Sequence, residues 1–213
     1  MLHVGNINRL ETRWMSDFIE VKDLTVLFPV KKELFKPRKF VRAVHNVNLN
    51  IKRGSIVGLA GESGSGKSTT GKAILHLVEP VSGNIIINGC DIFDSAYDIR
   101  KLRKENQIIF QDSFSSLNPQ KTIRQSLETP MKIHKIGKNE KEREVIIEKT
   151  LNDVGLSADV LIKFPHEFSG GQLQRICIAR ALLLSPSFLV CDEAIAALDV
   201  SIQSQIINLF KQL

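Results

Sequence analysis

Eight consecutive residues, Gly61-Glu62-Ser63-Gly64-Ser65-Gly66-Lys67-Ser68, constrain the fold of this chain more than any other stretch, because they fit the pattern G-x-x-x-x-G-K-[ST]. Glycine-rich backbone can curl with its N–H groups inward, and a helix starting after it adds the positive end of the peptide dipoles. The result is an anion nest suited to phosphate. Lys67 is expected to reach the β- and γ-phosphates, Ser68 to place its hydroxyl on Mg2+, and Thr69 and Thr70 to continue into the helix. A flexible Gly/Ser linker has a similar composition but not these flanks: Ile56-Val57-Gly58-Leu59-Ala60 precedes the loop and Ala73-Ile74-Leu75 follows at helical spacing.

The 213 residues, 43% of them hydrophobic, suffice for one large domain or one domain with a lobe. No apolar run reaches bilayer length, and the N-terminus lacks a basic-then-apolar leader pattern, so export is not expected. Cys90, Cys177 and Cys191 are odd in number, unevenly spaced and set among apolar neighbours, which predicts buried cytosolic thiols rather than disulfides or a metal site. The net charge of +6 gathers in Lys31 to Arg42 and Lys132 to Arg143. Glu140, Glu142 and Glu144 interleave with the second stretch, as on a solvated helix face. With one Trp, one Tyr and no aromatic-basic interleaving, no nucleic acid partner is expected.

Residues 1–14 show no period and are read as an extension, with Met15 a second plausible start. Alternation from Phe18 to Phe28 predicts an antiparallel strand ended by Pro29, and Val41 to Ile51 resumes the alternation after a basic loop broken by Pro37. Ser55 to Ala60, nearly all apolar, is expected to be a buried strand. A helix is predicted over Lys67 to Val78, then a turn at Ser82-Gly83-Asn84, a strand at Ile85 to Ile87, a turn at Asn88-Gly89, a short helix at Arg100 to Arg103 and a strand at Gln107 to Phe110. Residues 112–170 read as a helical lobe, with helices over Ile123 to Ile133 and Glu140 to Val154. Ser169 is expected to cap a helix from Gly171 to Leu184, and a last helix is predicted over Ser201 to Leu213.

Four apolar residues, Phe188-Leu189-Val190-Cys191, run into Asp192-Glu193, as when a buried strand delivers carboxylates to the end of a parallel sheet. There Asp192 would hold Mg2+ and Glu193 would polarise an attacking water. The plain alternative is an acidic pair that faces solvent.

Phe168-Ser169-Gly170-Gly171-Gln172, followed by Gln174-Arg175 and Ala179-Arg180-Ala181-Leu182, resembles the signature of the ATP-binding subunits of ABC transporters, commonly L-S-G-G-Q. Phe168 departs from it at the least chemical position. The resemblance, from Phe18 onward, implies an α/β fold: a P-loop NTPase core with a mostly parallel sheet, an N-terminal antiparallel β part and a helical lobe. It implies that Ser169, Gly170, Gly171 and Gln172 grip the γ-phosphate of ATP bound to an opposing subunit. It further implies that Gln111 contacts Mg2+ and the attacking water, that Phe28 packs on adenine, a core role being the alternative, and that Asp199 of Ala197-Leu198-Asp199 couples the two sites of a dimer. Gln111 to Pro119 and Cys191 to Gln203 look like the oligopeptide and dipeptide importer branch, which includes nickel and glutathione importers, and the basic insert at Lys31 to Lys39 resembles its second ATPase subunit. Ala194 and Ala196 stand where that branch has Pro and Ser, between the carboxylate and the D-loop, where a change bears on communication between subunits.

On this resemblance the chain is expected to be an ABC ATPase domain over 15–213, incomplete at its C-terminus, that binds and hydrolyses ATP with Mg2+ to energise peptide import. The implied partners are transmembrane permease subunits, a second ATPase subunit and, indirectly, an extracytoplasmic substrate-binding protein, at the cytoplasmic face of the membrane. The family's switch histidine has no counterpart, since His3, His45, His76, His134 and His166 all precede the carboxylates. That motivates an alternative, a truncated module that holds nucleotide without turnover and exposes a sheet edge. A third reading, a non-transport ABC ATPase acting on nucleic acid or the ribosome, lacks the second domain or coiled coil such proteins carry.

Overall fold

Strand β1 (Ile19–Pro29) buries Ile19, Val21, Leu24 and Val26. The apolar phase slips between Val21 and Leu24, and the backbone absorbs the slip. Val21 opposes Leu49 of β2 (Phe40–Ile51) while Leu24 opposes Val47, so β1 carries one extra residue there, and β2 carries one between Val47 and Val44 and another between Val44 and Arg42. The first two of these three bulges place Asp23 and Asn46 at φ 50° and 49°. Side chains stitch them: Asp23 N–H donates to Asn48 Oδ1 at 3.0 Å, Asn48 Nδ2 returns a bond to Asp23 Oδ1 at 3.0 Å, and Asn46 N–H donates to Thr25 Oγ1 at 3.1 Å. Each half of β1 thereby keeps its apolar residues on the core side.

The computed structural model describes residues 17–30, 39–195 and 198–211. The expectations for residues 1–14 and Met15, for Lys31 to Arg38 of the basic insert, and for Ala196 and Ala197 lie outside the described residues. Two units form, Met1–Ile99 and Arg100–Leu213.

In the first unit the sheet order is β2-β1-β3-β4, with β3 at Ser82–Ile87 and β4 at Cys90–Asp91, and every pairing is antiparallel. Asn88 and Gly89, at φ 52° and 78°, join β3 to β4 with the positive-φ pair that a two-residue hairpin favours. Helix α1 (Lys67–Ile74) is shorter than expected. His76 takes φ 52°, His76 N–H donates to Ala73 O and Leu77 N–H to Lys72 O, both at 2.9 Å. This is the closing pattern usually built on glycine, here carried by a histidine, and so it left no sign in the sequence.

Ser55 to Ala60 corrects a prediction. The stretch forms no strand and is exposed throughout, Ile56 at 73%. Apolar character makes a strand only where a neighbouring backbone supplies the ladder, and none of the described pairings involves these residues.

In the second unit β5 (Asn106–Ile109) and β6 (Phe188–Cys191) pair in parallel, Asn106 opposite Phe188 and Ile109 opposite Cys191. Helix α2 (Ile99–Glu105) leads into β5. The connection from β5 to β6 carries α3 (Ile123–Ile133), α4 (Glu140–Asp153) and α5 (Gly170–Leu182), and α6 (Val200–Lys211) follows β6. Their apolar faces meet in one core that includes Ile123, Leu127, Met131, Ile147, Leu151, Ile176, Ile178 and Ile206, all fully enclosed. β6 is only half-buried and Cys191 is exposed, so the expectation of a buried strand is corrected. Of the cysteines only Cys177 is buried; Cys90 and Cys191 are exposed, against the reading of three buried thiols, because a two-residue strand and a strand end leave them at the surface. Among the described residues no helix is long and apolar enough to cross a membrane.

Candidate functional site

The Gly61 to Ser68 loop belongs to the first unit. Gly64 and Gly66 sit at φ 79° and 94°, and Gly66 is the N-cap of α1. A Cβ at Gly66 would lie 2.3 Å from the carbonyl oxygen of Ala43, so both the dihedral and the close approach to β2 require glycine there. The loop is exposed from Gly61 to Ser65, and Gly66, Lys67, Ser68 and Thr69 are half-buried. Lys67 folds across it: Nζ donates to Gly61 O at 2.8 Å, to Glu62 O at 2.6 Å and to Ser65 Oγ at 3.4 Å. The ammonium therefore closes the ring of residues 61–67, and Ser65 N–H donates to Glu62 O at 3.2 Å across its tip. Below it Thr70 Oγ1 donates to Gly66 O at 3.0 Å and fixes the first turn. Such a loop, with a lysine on its rim and a helix start at its base, offers donors and positive charge to an anion. Phe28, next to last in β1 and opposite Val41, is 41% exposed; it is a surface aromatic and not part of the core.

The second unit holds the other candidates. Asp192 N–H donates to Ile109 O at 3.0 Å, extending the β5–β6 ladder by one residue. The chain then turns sharply, with Glu193 at φ 52°, a left-handed conformation that costs a non-glycine residue about 1–2 kcal/mol. The turn brings Glu193 to Gln111, 82 residues away: Gln111 Nε2 donates to Glu193 Oε2 at 2.6 Å. Both side chains are exposed, so water can reach the carboxylate.

Ser169 is the N-cap of α5, in a reciprocal box with Gln172: Gln172 N–H donates to Ser169 Oγ at 3.3 Å and Ser169 N–H to Gln172 Oε1 at 3.0 Å. Ser169, Gly171 and Gln172 line a cleft of 270 Å³ with Arg175, Leu198 and Asp199. The Asp199 carboxylate caps α6, accepting from Ile202 N–H at 3.0 Å and Ser201 Oγ at 2.7 Å. Those two bonds, and after them the Arg175 charge, hold its carboxyl below the ordinary value. Arg175, named beside the signature residues but given no role there, lines the cleft because it lies one helical step of three past Gln172.

Ser68, Gln111 and Asp192, the residues expected at Mg2+, offer a hydroxyl, an amide and a carboxylate. Oxygen donors with few carboxylates suit an ion that keeps most of its water, and among the described residues no cluster of three His, Cys, Asp or Glu side chains forms an all-protein cage.

The chain is similar to known proteins. A family model described as ABC transporter matches residues 44–196. The chain is 45% identical over 199 residues to the oligopeptide transport ATP-binding protein AppF of Bacillus subtilis (strain 168), spanning 92% of this chain and 60% of AppF. It is 45% identical over 197 residues to the glutathione import ATP-binding protein GsiA of Salmonella paratyphi A (strain ATCC 9150 / SARB42), spanning 92% of this chain and 32% of GsiA. The chain thus covers less than two thirds of the length of these relatives. Among solved structures, the post-hydrolysis dimer of the ATP-binding cassette MJ0796 bound to ADP and Pi superposes with a TM-score of 0.78 at 31% identity, covering 92% of this chain and 82% of that one.

Proposed function

The chain belongs to the ABC transporter family of ATP-binding domains, and from that premise we propose that it is the motor of a peptide-type importer, binding Mg-ATP and transferring its terminal phosphoryl group to water. The observation that carries this reading is the loop itself: a glycine that can accept no Cβ, a helix start and a lysine ammonium already lying across loop carbonyls. Phosphate oxygens entering the loop would take the Lys67 ammonium from those carbonyls, a charge-assisted exchange. Phe28 would lie against adenine.

Glu193 is the residue proposed to orient the attacking water, and the amide of Gln111 fixes its carboxylate at one oxygen. Positioning and electrostatics suffice for this chemistry, because phosphoryl transfer needs little covalent help from the protein. Mg2+, held by Ser68, Gln111 and Asp192, would neutralise charge on the phosphates. The Ser169 to Gln172 helix start would grip the γ-phosphate of nucleotide on a second ATPase subunit, identical or paralogous, with Asp199 in the same cleft relaying its state. Permease subunits in the membrane would receive the motion, at the cytoplasmic face, and an extracytoplasmic binding protein would deliver the peptide. The relatives named for oligopeptide and glutathione import support this cargo class.

The test is Glu193→Gln. It should bind Mg-ATP as the parent does and lose turnover; undiminished turnover would remove Glu193 from its role. The parent's turnover also separates this reading from a module that holds nucleotide without hydrolysing it.

A further inference from the structure

Helix α5 does more than present Ser169 at its start. Three of its side chains, spaced three apart, point at three carbonyls spaced three apart on the segment that follows β5. Gln174 Nε2 donates to Phe110 O at 3.5 Å, Cys177 Sγ to Ser113 O at 3.6 Å and Arg180 Nη1 to Ser116 O at 2.6 Å. Three bonds thus rail the segment carrying Gln111 to α5. Burial raises the Cys177 thiol above its ordinary value, so it stays protonated and able to donate.

Gln174 alone reaches a second segment. Its Nε2 also donates to Ala194 O at 2.8 Å, and the side chain is 1% exposed. Phe110 precedes Gln111 and Ala194 follows Glu193. We propose that Gln174 is a positioning residue: its buried carboxamide ties the carbonyl next to Gln111 to the carbonyl next to Glu193, and so holds the pair that meets at 2.6 Å. The inference deepens the proposed function and rests on it for the catalytic meaning of that pair.

Two features favour positioning over ordinary core packing. Glu193 occupies a left-handed conformation that a glutamate does not adopt unaided, and the bond to Ala194 O closes that turn immediately after it. In addition, Gln174 Oε1 is buried with no partner. Burying that acceptor costs stability, and a carboxamide is the neutral side chain of this length with two N–H groups on one nitrogen, which reaching both carbonyls requires. Because α5 begins at Ser169, the same helix links the signature cleft to the Gln111–Glu193 pair.

The experiment uses two variants of the full chain, Gln174→Met and Gln174→Glu, read by turnover and by amide hydrogen exchange. Gln174→Met takes the donor from the Phe110 and Ala194 carbonyls but also removes the unpartnered acceptor, so the chain should stay folded with a modestly lower melting temperature. Its kcat should fall about 100-fold, as for misplaced reacting groups, with the KM for ATP little changed. Exchange should quicken at residues 110–112 and 193–195, a readout that needs no hydrolysis and decides the tie even if the parent proves inactive, which would sink the proposed function instead. In Gln174→Glu a carboxylate cannot donate, while its protonated form can, so kcat relative to the parent should rise as pH falls from 8 to 6. The ionisable neighbours on the two bridged segments and on α5 are Asp112, Asp192, Glu193, Arg175, Cys177 and Arg180, and the parent, which carries all of them, is the reference at each pH. Parent-like exchange in Gln174→Met would overturn the tie. Parent-like kcat there, or a flat pH ratio in Gln174→Glu, would overturn its link to catalysis.

Discussion

Gly66→Ala separates a phosphate cradle from a loop that merely contains glycine. At φ 94° an alanine sits where L-residues pay about 1–2 kcal/mol. Its Cβ would lie 2.3 Å from Ala43 O and 3.3 Å from Val44 Cγ2, both on β2. Neither the carbonyl of a paired strand nor the helix start can yield easily, and such overpacking typically adds about 1–3 kcal/mol. The relief available is for residues 64–67 to lift off β2, which disperses the inward N–H groups; restoring them on binding then costs about 2–5 kcal/mol. At about 1.4 kcal/mol per decade the Kd for Mg-ATP rises by at least about 30-fold. Gly64→Ala carries only the dihedral penalty, since at φ 79° nothing lies within 4 Å of its Cβ, and should weaken binding by about 5- to 30-fold. Gly58→Ala has neither problem and should bind as the parent does. Gly83→Ala, whose Cβ would fall 2.6 Å from Lys22 O, should lower the melting temperature of the first unit through β1 instead. Titration with Mg-ATP by calorimetry, beside thermal melts, reads all four. If Gly66→Ala bound like Gly58→Ala, the geometric reasoning about the loop would be refuted.

Other perturbations follow from the same contacts. Ser169→Ala removes the acceptor that caps α5 and should cost about 1 kcal/mol in chemical denaturation of the chain; Ser169→Asp should retain that stability while repelling phosphate from the cleft. Asp199 has a depressed carboxyl, so the stability it adds is full above the ordinary value of 3.8 and is lost as pH falls through its own lower value. Amide exchange at Ile202 and Gln203 should therefore quicken in acid, and in Asp199→Asn, which keeps an uncharged acceptor, that acid step should disappear. Gln111→Leu frees one Glu193 oxygen, and turnover should fall while Mg-ATP binding falls less.

Most elements were legible because their signals are local. Asn88-Gly89 announces its hairpin, Ser169 with Gln172 three residues on announces a capped helix, and the spacing from Ile123 to Met131 announces one face of α3. What failed to show depends on partners distant in sequence. Ser55 to Ala60 is apolar enough for a strand, but only a neighbouring backbone makes one. The early end of α1 turns on a histidine doing what glycine usually does, and the bulges in β1 and β2 look like lapses of alternation until Asn48 and Thr25 are seen to fill them. At the candidate site the residue types were legible from motif order, while the meeting of Gln111 with Glu193 across 82 residues, and the carboxamide of Gln174 behind them, exist only in three dimensions.

The most direct test of the account is a calorimetric titration of the folded chain with Mg-ATP, run beside Lys67→Met. The loop geometry predicts saturable binding below millimolar concentration, weakened more than about 100-fold when the ammonium and the charge-assisted bonds it would make to phosphate oxygens, about 1.5–3 kcal/mol each, are removed. A folded chain that ignored Mg-ATP at millimolar concentration, or a Lys67→Met variant that bound it as well as the parent, would contradict the account.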